Sequence, residues 1–539
     1  MWAGFLAVAQ STSVEQTTEG TRPAPVIAAE FDGLGVGFEG PHGTATLRNP
    51  SDNSLAVGPN HIIQIVNSRT AIFTKKGKQY DTTGRVLYGP VPTNNFFRGF
   101  GGACEARNNG DAVVRYDQLA NRWLIVMPIF TRGAERPDQP SVWTPRAAAY
   151  ESPAGQANQP GPATALYQPP PPSSASGASG ASGAPGVPPV PSRGPYSMCY
   201  AVSTSSDPLG TYYRYEFLRP LFPDYPRPAI WSDGYYVPSS TGDEVIEKHT
   251  CVVERDALLA GKPAREQCFV IAGVNFLNNA DLDGTQLPPR GAPNVVIAAG
   301  GTQLKKVMED EAVFAWKMFT DWSPSTSLRA GDPPTSRLEG PIRIPVAPYH
   351  YLCDGQLTNC VPQPGTDRRL DAQGDKIMAR VVYRRIGNQQ SIVAVHSVNT
   401  AAGGGGVRWY EFRVDSKNDL SLFQQGTLAL PLYRWMASPA LDKLGNIGIG
   451  YSFGGTPNFA GQRFAGRTPS DPKGVLTTKE AVLVEGEGAQ TSTLRWEDYS
   501  QTAVDPSDDC TIWYVGDYLK KDATSYSSKI GAFRLPGCR

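Results

Sequence analysis

The feature that most constrains the fold of this 539-residue chain is a strand–turn–strand pattern that recurs along it. In each copy a short apolar segment ends in an Asp, Asn or Gly turn, and a second apolar segment follows. Six copies are clear and a seventh is degenerate at its start, in the order 54–66, 112–127, 229–237, 294–316 (the degenerate copy), 376–395, 438–451 and 502–514. Many of these segments are apolar on both faces, which is typical of strands packed between neighbouring sheets.

A small β unit that repeats with insertions of varying length indicates radial repetition, which protects the edges of the sheets. Further apolar segments follow the pairs, for example 69–73, 406–413 and 529–534, so that four strands per unit are reachable. The sequence therefore predicts an all-β fold, a single β-propeller of four-stranded blades over residues 26–539. We expect seven blades, with six as the alternative. We also expect residues 26–38 to complete the last blade, because a ring needs closure.

Three segments fall outside the repeat. Residues 1–9 are apolar and carry the small residues Ala7 and Ala9 before a polar stretch, which predicts the remnant of a signal peptide. Residues 10–25 are predicted to be a disordered N-terminal segment. Residues 133–195 are rich in Pro, Gly, Ser and Ala and predict a disordered insertion within one blade. No other apolar run approaches the roughly 18 residues of a membrane helix, so we expect no membrane span.

The eight cysteines include no C-x-x-C pair, and an even number in an exported chain predicts disulfide bonds. Sequence alone leaves other connectivities open. Pairing neighbours in the sequence gives Cys251–Cys268, Cys353–Cys360 and Cys510–Cys538, with Cys104–Cys199 as the remaining pair. We therefore expect a secreted protein, periplasmic or extracellular, and a monomer.

Charge and motif content narrow the partners and cofactors. The chain has 50 basic and 50 acidic residues and no long run of Lys or Arg, so nucleic acid is not expected to be a partner. No cofactor is predicted. Asp281-Leu-Asp283-Gly resembles the opening of a calcium loop, although Ala292 stands where an EF-hand requires Glu. Asp281 and Asp283 are therefore candidate ligands of a structural calcium ion.

Candidate ligand-binding residues were sought just before the innermost strands, because such positions converge on one face of a propeller. Charged, amide and aromatic groups that converge are what a sugar or small-molecule pocket needs. The candidates are Arg107, Asn108, Asn109, Asp111, Tyr225, Arg227, Arg408, Arg434, Trp435, Arg495 and Trp496. Asp52, Asp224 and Asp371 belong to the same predicted ring. The recurring Arg-Trp dipeptides would offer a guanidinium to an anion and an indole face to a sugar, or else pack between blades.

Candidate catalytic groups are carboxylates, with one tyrosine. Asp375, Glu411, Glu497 and Asp498 are the carboxylates best placed for acid–base work, and Tyr499 is a candidate nucleophile for sialidase-like chemistry. The sequence does not fix the distances between these groups. Two free carboxylates facing each other across about 5–10 Å would favour glycoside hydrolysis, whereas ion pairs with Arg434 and Arg495 would favour binding or scaffolding.

Several phrases resemble an uncharacterised family of exported bacterial β-propeller proteins. They are SLAVGPNH at 54–61, NGDAVVRYD at 109–117, ADLDG at 280–284, RWYE at 408–411 and RWEDY at 495–499. The resemblance covers most of the chain outside 133–195. It implies the fold and export and carries over no catalytic residue. Similarity to sialidases and other glycoside hydrolases is at the level of fold, which does not fix function.

The sequence thus favours an exported β-propeller that recognises an extracellular ligand, a glycan or a protein, through a central polar and aromatic pocket. The first alternative is a glycoside-active enzyme, sialidase-like or another hydrolase or lyase, that uses the carboxylates and arginines of that pocket. The second alternative is a structural extracellular protein.

Overall fold

The structure is a computed structural model and describes residues 14–46, 48–130, 150–151, 161–166, 196–219, 222–240, 247–303, 308–323, 336–355 and 359–539. The protein is all-β, with 51% strand and 4% helix, which confirms the predicted fold class at that level. The helical elements of the described residues are α1 (Gly102–Ala106), α2 (Arg255–Leu259) and 3-10 turns at Thr93–Phe97 and Leu352–Gly355. None of the described helices is long and apolar enough to cross a membrane.

Seven antiparallel units of four strands follow one another along the chain, preceded by four N-terminal strands. The N-terminal strands are β1 (Glu15–Gln16), β2 (Val26–Asp32), β3 (Glu39–Gly40) and β4 (Gly43–Thr44). Unit 1 consists of β5 (Asn53–Val57), β6 (His61–Val66), β7 (Arg69–Thr74) and β8 (Val86–Pro92). Unit 2 starts with β9 (Val113–Asp117) and β10 (Arg122–Ile129); after the short strands β11 (Tyr150–Glu151) and β12 (Gly161–Ala165) it ends with β13 (Tyr196–Ser203) and β14 (Thr211–Arg219).

The remaining units repeat this order. Unit 3 consists of β15 (Ala229–Ile230), β16 (Gly234–Ser239), β17 (Glu247–Glu254) and β18 (Glu266–Ala272). Unit 4 consists of β19 (Asn278–Leu282), β20 (Asn294–Ala299), β21 (Ala312–Phe319) and β22 (Arg337–Pro345), and a hairpin of β23 (Asn359–Gln363) and β24 (Thr366–Asp371) follows it. Unit 5 consists of β25 (Val381–Ile386), β26 (Gln389–Asn399), β27 (Gly405–Val414) and β28 (Leu420–Leu428). Unit 6 consists of β29 (Tyr433–Leu441), β30 (Ile447–Gly455), β31 (Asn458–Arg467) and β32 (Ala481–Val484), and unit 7 of β33 (Gln501–Val504), β34 (Ile512–Tyr518), β35 (Ser527–Arg534) and the N-terminal β2.

Unit 1 shows why the repeated sequence forms hairpins. Val66 pairs with Arg69 across a two-residue turn, and Asn67 in that turn has a φ of 50°. Asn tolerates this left-handed conformation better than most residues do, so it suits the turn. Every residue of β5 and β6 is buried. This matches the expectation that strands apolar on both faces pack between neighbouring sheets.

The hydrophobic core lies between successive units. Leu55 and Phe73 of unit 1 pack with Trp513 of unit 7 in one buried cluster. Ile63 of unit 1 packs with Trp123 of unit 2 in another. Each unit is thus buried by its neighbours on both sides, and the apolar residues of alternate faces serve two different clusters.

The first strands of the units lie side by side. The first strand of each unit contacts the first strand of the next, and β33 of unit 7 contacts β5 of unit 1. Between units 4 and 5 this contact is a parallel pairing of β19 with β25, in which Ala280 lies opposite Val381. It joins the two units, with β1, into one nine-stranded sheet.

The N-terminal part of the chain completes two of these sheets. β2 pairs antiparallel with β35, with Val26 opposite Arg534, so residues 26–32 supply the fourth strand of unit 7 as predicted. Of the segment 10–25, predicted to be disordered, the structure describes residues 14–25. There Glu15–Gln16 pairs in parallel with β28, and the Gln16 side chain donates to the Leu476 carbonyl at 2.9 Å. The predicted signal remnant at 1–9 lies outside the described residues.

Most of the insertion 133–195 also lies outside the described residues. Within it, β11 pairs with β18 of unit 3 and β12 pairs with β14 of unit 2. These two short strands add an edge strand to the sheets of units 3 and 2.

All eight cysteines form disulfides, and the four predicted pairings are confirmed. They are Cys104–Cys199, Cys251–Cys268, Cys353–Cys360 and Cys510–Cys538. Several disulfides are consistent with an extracellular or periplasmic protein, because reducing compartments disfavour them.

Candidate functional site

Left-handed residues recur just before the first strands of the units. They have φ between 45° and 67° and are Asp52, Asp111, Tyr225, Gln373 and Asp498. Each such residue costs about 1–3 kcal/mol unless its surroundings fix it, and clusters of them are typical of functional sites. Contacts between them show that they meet: the Tyr225 hydroxyl donates to the Asp498 carbonyl, and Gln373 donates to the Asp498 carboxylate. We call this group and its neighbours the central site.

One side of the central site is a row of three aspartates. Asp111 lies within hydrogen-bonding reach of both Asp52 and Asp224, and its carboxylate accepts from the Tyr225 amide at 3.4 Å. Burial and the neighbouring Asp111 charge raise the pKa of Asp52 well above its ordinary value. Burial also raises the pKa of Asp111. Carboxyl groups in contact cannot all be ionised at low cost, so a proton or a cation has to lie between them.

The other side of the central site is organised by Arg495. Its guanidinium forms a short ion pair with Asp498 and lies 3.5 Å from Asp371. The Gln373 amide donates to both carboxylates, at 3.1 Å to Asp371 and 3.2 Å to Asp498. Burial raises the pKa of both aspartates, and Arg495 opposes the effect. The two carboxylates therefore face each other across one amide nitrogen and share one cation.

Two further cations lie under the central site. Lys376 Nζ is 2.9 Å from the Asp375 carboxylate and lies 4.1 Å from the centre of the Phe276 ring. The Arg227 guanidinium lies 4.0 Å from the Tyr225 ring centre and donates to Asn278 at 2.7 Å. The ring faces are thus covered by cations of the protein itself, and they are not open platforms for stacking a sugar.

The described central site is acidic overall. Six aspartates, Asp52, Asp111, Asp224, Asp371, Asp375 and Asp498, lie with three cationic side chains, Arg227, Lys376 and Arg495. The sequence suggested that several arginines would converge on an anionic ligand. The structure brings only Arg227 and Arg495 of the predicted arginines to this place, and both are engaged by neighbouring groups. A negatively charged ligand is therefore disfavoured.

Trp496, Glu497 and Tyr499 lie beside the central site but point into the protein. Glu497 accepts from Ser452 at 2.9 Å and from Gln462 at 3.0 Å. Trp496 donates to the same Ser452 hydroxyl. Tyr499 is 2% exposed, and its ring packs against Tyr225. Glu497 is thus held in a buried network and does not face the other candidate carboxylates.

Trp435 and three charged candidates serve structural contacts. Trp435 is buried beside Trp496, their ring centres 6.2 Å apart. Arg434 pairs with Glu480 at 2.7 Å. In β27, Arg408 donates to the Ala347 carbonyl at 3.0 Å, and Glu411 pairs with Arg413 at 2.9 Å. The repeated Arg-Trp dipeptide therefore does not mark one site.

The loop candidates before β9 are engaged locally. Asn108 donates to the Ser68 carbonyl at 2.9 Å, and Asn109 accepts from the Phe130 amide at 3.2 Å. Arg107 is exposed. Of this loop, Asp111 is the candidate that the structure places in the central site.

Asp281 and Asp283, the candidate calcium ligands, hold guanidinium groups. Arg380 donates to Asp281 at 2.7 Å and to Asp283 at 2.5 Å, and Arg115 lies 3.3 Å from Asp281. All four side chains line a cavity of about 30 Å³ between the first strands. They form a buried ion-pair network that connects units 2, 4 and 5.

Comparisons with known proteins add little to this geometry. No protein-family model and no curated protein matches the chain. One similar solved structure is a protein of unknown function from Dyadobacter fermentans DSM 18053, with a TM-score of 0.35, 9% identity, and coverage of 94% of this chain and 100% of that chain. Another is an alpha-L-arabinofuranosidase from Lactobacillus brevis, with a TM-score of 0.27, 12% identity, and coverage of 58% of this chain and 91% of that chain. At such TM-scores neither likeness carries an argument about function.

Sequence reasoning missed Gln373 and Lys376, which link the carboxylates of the central site. They stand in the segment Asp371-Ala-Gln-Gly-Asp-Lys376, which runs directly into β25. The signal that could have found them is positional, because left-handed residues recur just before the first strands of other units.

Proposed function

We propose that the seven units form a closed seven-bladed β-propeller of an exported protein, and that the central site recognises an extracellular ligand. The proposal rests on the side-by-side first strands, which return from unit 7 to unit 1, and on polar residues meeting where those strands begin. Export is supported by the four disulfides.

The observation that favours recognition over catalysis is the engagement of the candidate carboxylates. Asp498 and Asp371 share Arg495 and Gln373, Asp375 is paired with Lys376, and Glu497 lies in a separate network. An acid–base pair for hydrolysis needs carboxylates that can reach a glycosidic oxygen and a water molecule. Groups held by cations and amides of the protein are better suited to accept hydrogen bonds from a ligand.

The ligand class follows from the excess of carboxylates. Aspartates accept hydrogen bonds from sugar hydroxyls and pair with Lys or Arg side chains. We therefore propose a neutral glycan or a basic segment of a protein. The buried indoles of Trp435 and Trp496 leave contact with a sugar to hydroxyl groups more than to stacking.

One observation keeps a glycoside hydrolase as the second candidate. The Asp371 and Asp498 carboxylates each lie within 3.2 Å of the same Gln373 nitrogen. They are thus no further apart than the carboxylates of glycoside hydrolases, at about 5–10 Å. In that function Asp498, whose pKa is raised by burial, would be the acid.

The test is a glycan array and a binding screen with basic peptides, beside a panel of chromogenic glycosides. We would compare the wild type with Asp498→Asn, which suits the left-handed backbone at this position, and with Asp367→Asn, an exposed aspartate, as the control. Binding without turnover, weakened at least tenfold in Asp498→Asn and unchanged in Asp367→Asn, is the expected result. Turnover lost in Asp498→Asn would establish the enzyme. No binding and no turnover would leave a structural role.

A further inference from the structure

The row of aspartates where units 1 and 2 meet has a charge that the described residues do not neutralise. Asp52 is 1% exposed and lies within hydrogen-bonding reach of Asp111. Arg495 acts on Asp52 only weakly and from a distance, since its guanidinium pairs with Asp498 and Asp371. Two carboxylates in contact inside a protein require a shared proton or a cation.

A second observation points to a cation. Among the described residues, Asp52 Oδ1 and Asn67 Oδ1 are buried without a hydrogen-bond donor. Asn67 is 7% exposed, and its Nδ2 already donates to Asp52 Oδ2 at 2.5 Å. A Cβ on Gly110 would lie 2.9 Å from Asn67 Oδ1, so this oxygen faces the backbone just before Asp111. Unpaired buried oxygens are costly, and here two of them lie beside a third carboxyl group.

We propose that Asp52 and Asp111 bind a Ca²⁺ ion, with the side-chain oxygen of Asn67 as a further ligand. The donor set is entirely oxygen, which suits a hard cation, and Ca²⁺ accepts irregular sets of carboxylate and amide oxygens. Mg²⁺ demands near-octahedral geometry and suits such a set less well. The site differs from Asp281 and Asp283, which bind arginines.

The arrangement of the ligands sets the limits of the site. The three aspartates form a row with Asp111 in the middle, so one ion bridges Asp52 and Asp111, and Asp224 lies beside it as a neighbouring acid. Among the described residues, the tightest group of metal-ligating types is Cys251, Glu266 and Cys268, but its two sulfurs form a disulfide. The proposal does not rest on recognition of an organic ligand, because the ion is bound by residues of the chain alone.

The experiment uses the intact chain after dialysis against a chelator. Calorimetric titration with CaCl₂ should give one site per chain in the wild type and in the control Asp367→Asn. We expect Asp52→Asn and Asp111→Asn each to weaken binding at least tenfold, and the double variant to abolish it. Asn tolerates the left-handed backbone at both positions, so the fold should survive. Asn67→Asp adds a carboxylate and should tighten Ca²⁺ binding.

A spectroscopic measurement on the wild type decides the matter even where a variant fails to fold. Tyr499, whose hydroxyl lies in the field of Asp52 and Asp111, should sensitise luminescence from Tb³⁺ at the site, and Ca²⁺ should displace the Tb³⁺. Absence of binding heat and of sensitised emission in the wild type would overturn the proposal and leave a shared proton. Unchanged Ca²⁺ affinity in a folded double variant would overturn it equally.

Discussion

Arg380 offers the sharpest test of how the first strands are held together. Its guanidinium is 6% exposed and donates to Asp281 at 2.7 Å and Asp283 at 2.5 Å. The second oxygens of these aspartates accept from backbone amides of other units, Ile230 at 2.8 Å and Leu441 at 3.2 Å. Arg380→Met keeps most of the side-chain volume and removes the charge.

The magnitude follows from what remains after the substitution. Asp281 keeps Arg115, 3.3 Å away, whereas Asp283 loses its close partner. Removing one partner of a buried ion pair costs about 3–5 kcal/mol. We expect a loss of about 3 kcal/mol in the free energy of unfolding at pH 7.5, near the lower end of that range. Burial already raises the pKa of Asp283, and loss of Arg380 raises it further.

The pH dependence gives the test its specificity. A carboxyl group whose pKa is raised in the folded state is stabilised by protonation, so the destabilisation of Arg380→Met should shrink as the pH falls from 7.5 to 5. The double variant Arg380→Met, Asp283→Asn should recover to within about 1 kcal/mol of the wild type, since no unpaired charge remains.

Urea unfolding followed by tryptophan fluorescence and far-UV circular dichroism measures these differences, and coincident transitions check two-state behaviour. Arg385→Met in the same strand is the matched control. Its hydrogen bonds to the carbonyls of Gly387 and Leu287 are exposed, so it should cost less than about 1 kcal/mol. A loss below about 1 kcal/mol in Arg380→Met, or one independent of pH, would refute the reasoning.

Three further predictions concern the whole chain. Deleting residues 14–32 removes the strand that covers β35, so the protein should associate on size-exclusion chromatography, and a monomeric deletion variant would contradict the pairing. Reduction of the native protein before mass spectrometry should add eight hydrogens, and a smaller gain would show unpaired cysteines. Burial and the Asp517 charge raise the pKa of Glu497 well above its ordinary value, so the folded state holds a proton and stability falls as the pH rises above about 4. Glu497→Gln should flatten this dependence in urea unfolding between pH 5 and pH 8, and an unchanged slope would count against it.

Much of the fold was predictable because hairpin signals are local. Alternating apolar segments and turn residues predicted the strands, and neighbouring cysteines in the sequence predicted all four disulfides. The need to close the last unit predicted the strand at Val26–Asp32. These inferences depend on short segments or on one topological requirement.

The candidate site was less predictable because it depends on where a residue lies within its unit. Arg408, Arg434 and Arg495 share the dipeptide Arg-Trp, yet they lie in a third strand, in a first strand and in the loop before a first strand. Strand position and register decide which arginine reaches the centre, and successive side chains on a strand point to opposite faces. A dipeptide carries neither kind of information. The row of aspartates was found because each of them precedes a first strand.

The pairing of β2 with β35 also has a consequence for how the protein is made. Residues 26–32 leave the ribosome long before residues 527–534, so this sheet cannot assemble during most of synthesis. Until then the edges of unit 7 and the apolar flank of unit 1 have no partner. Contacts of such long range form slowly and expose strands to aggregation meanwhile. A chain of this design therefore depends on holding factors during synthesis and delivery, and a ribosome stalled before β35 would release a product that cannot mature.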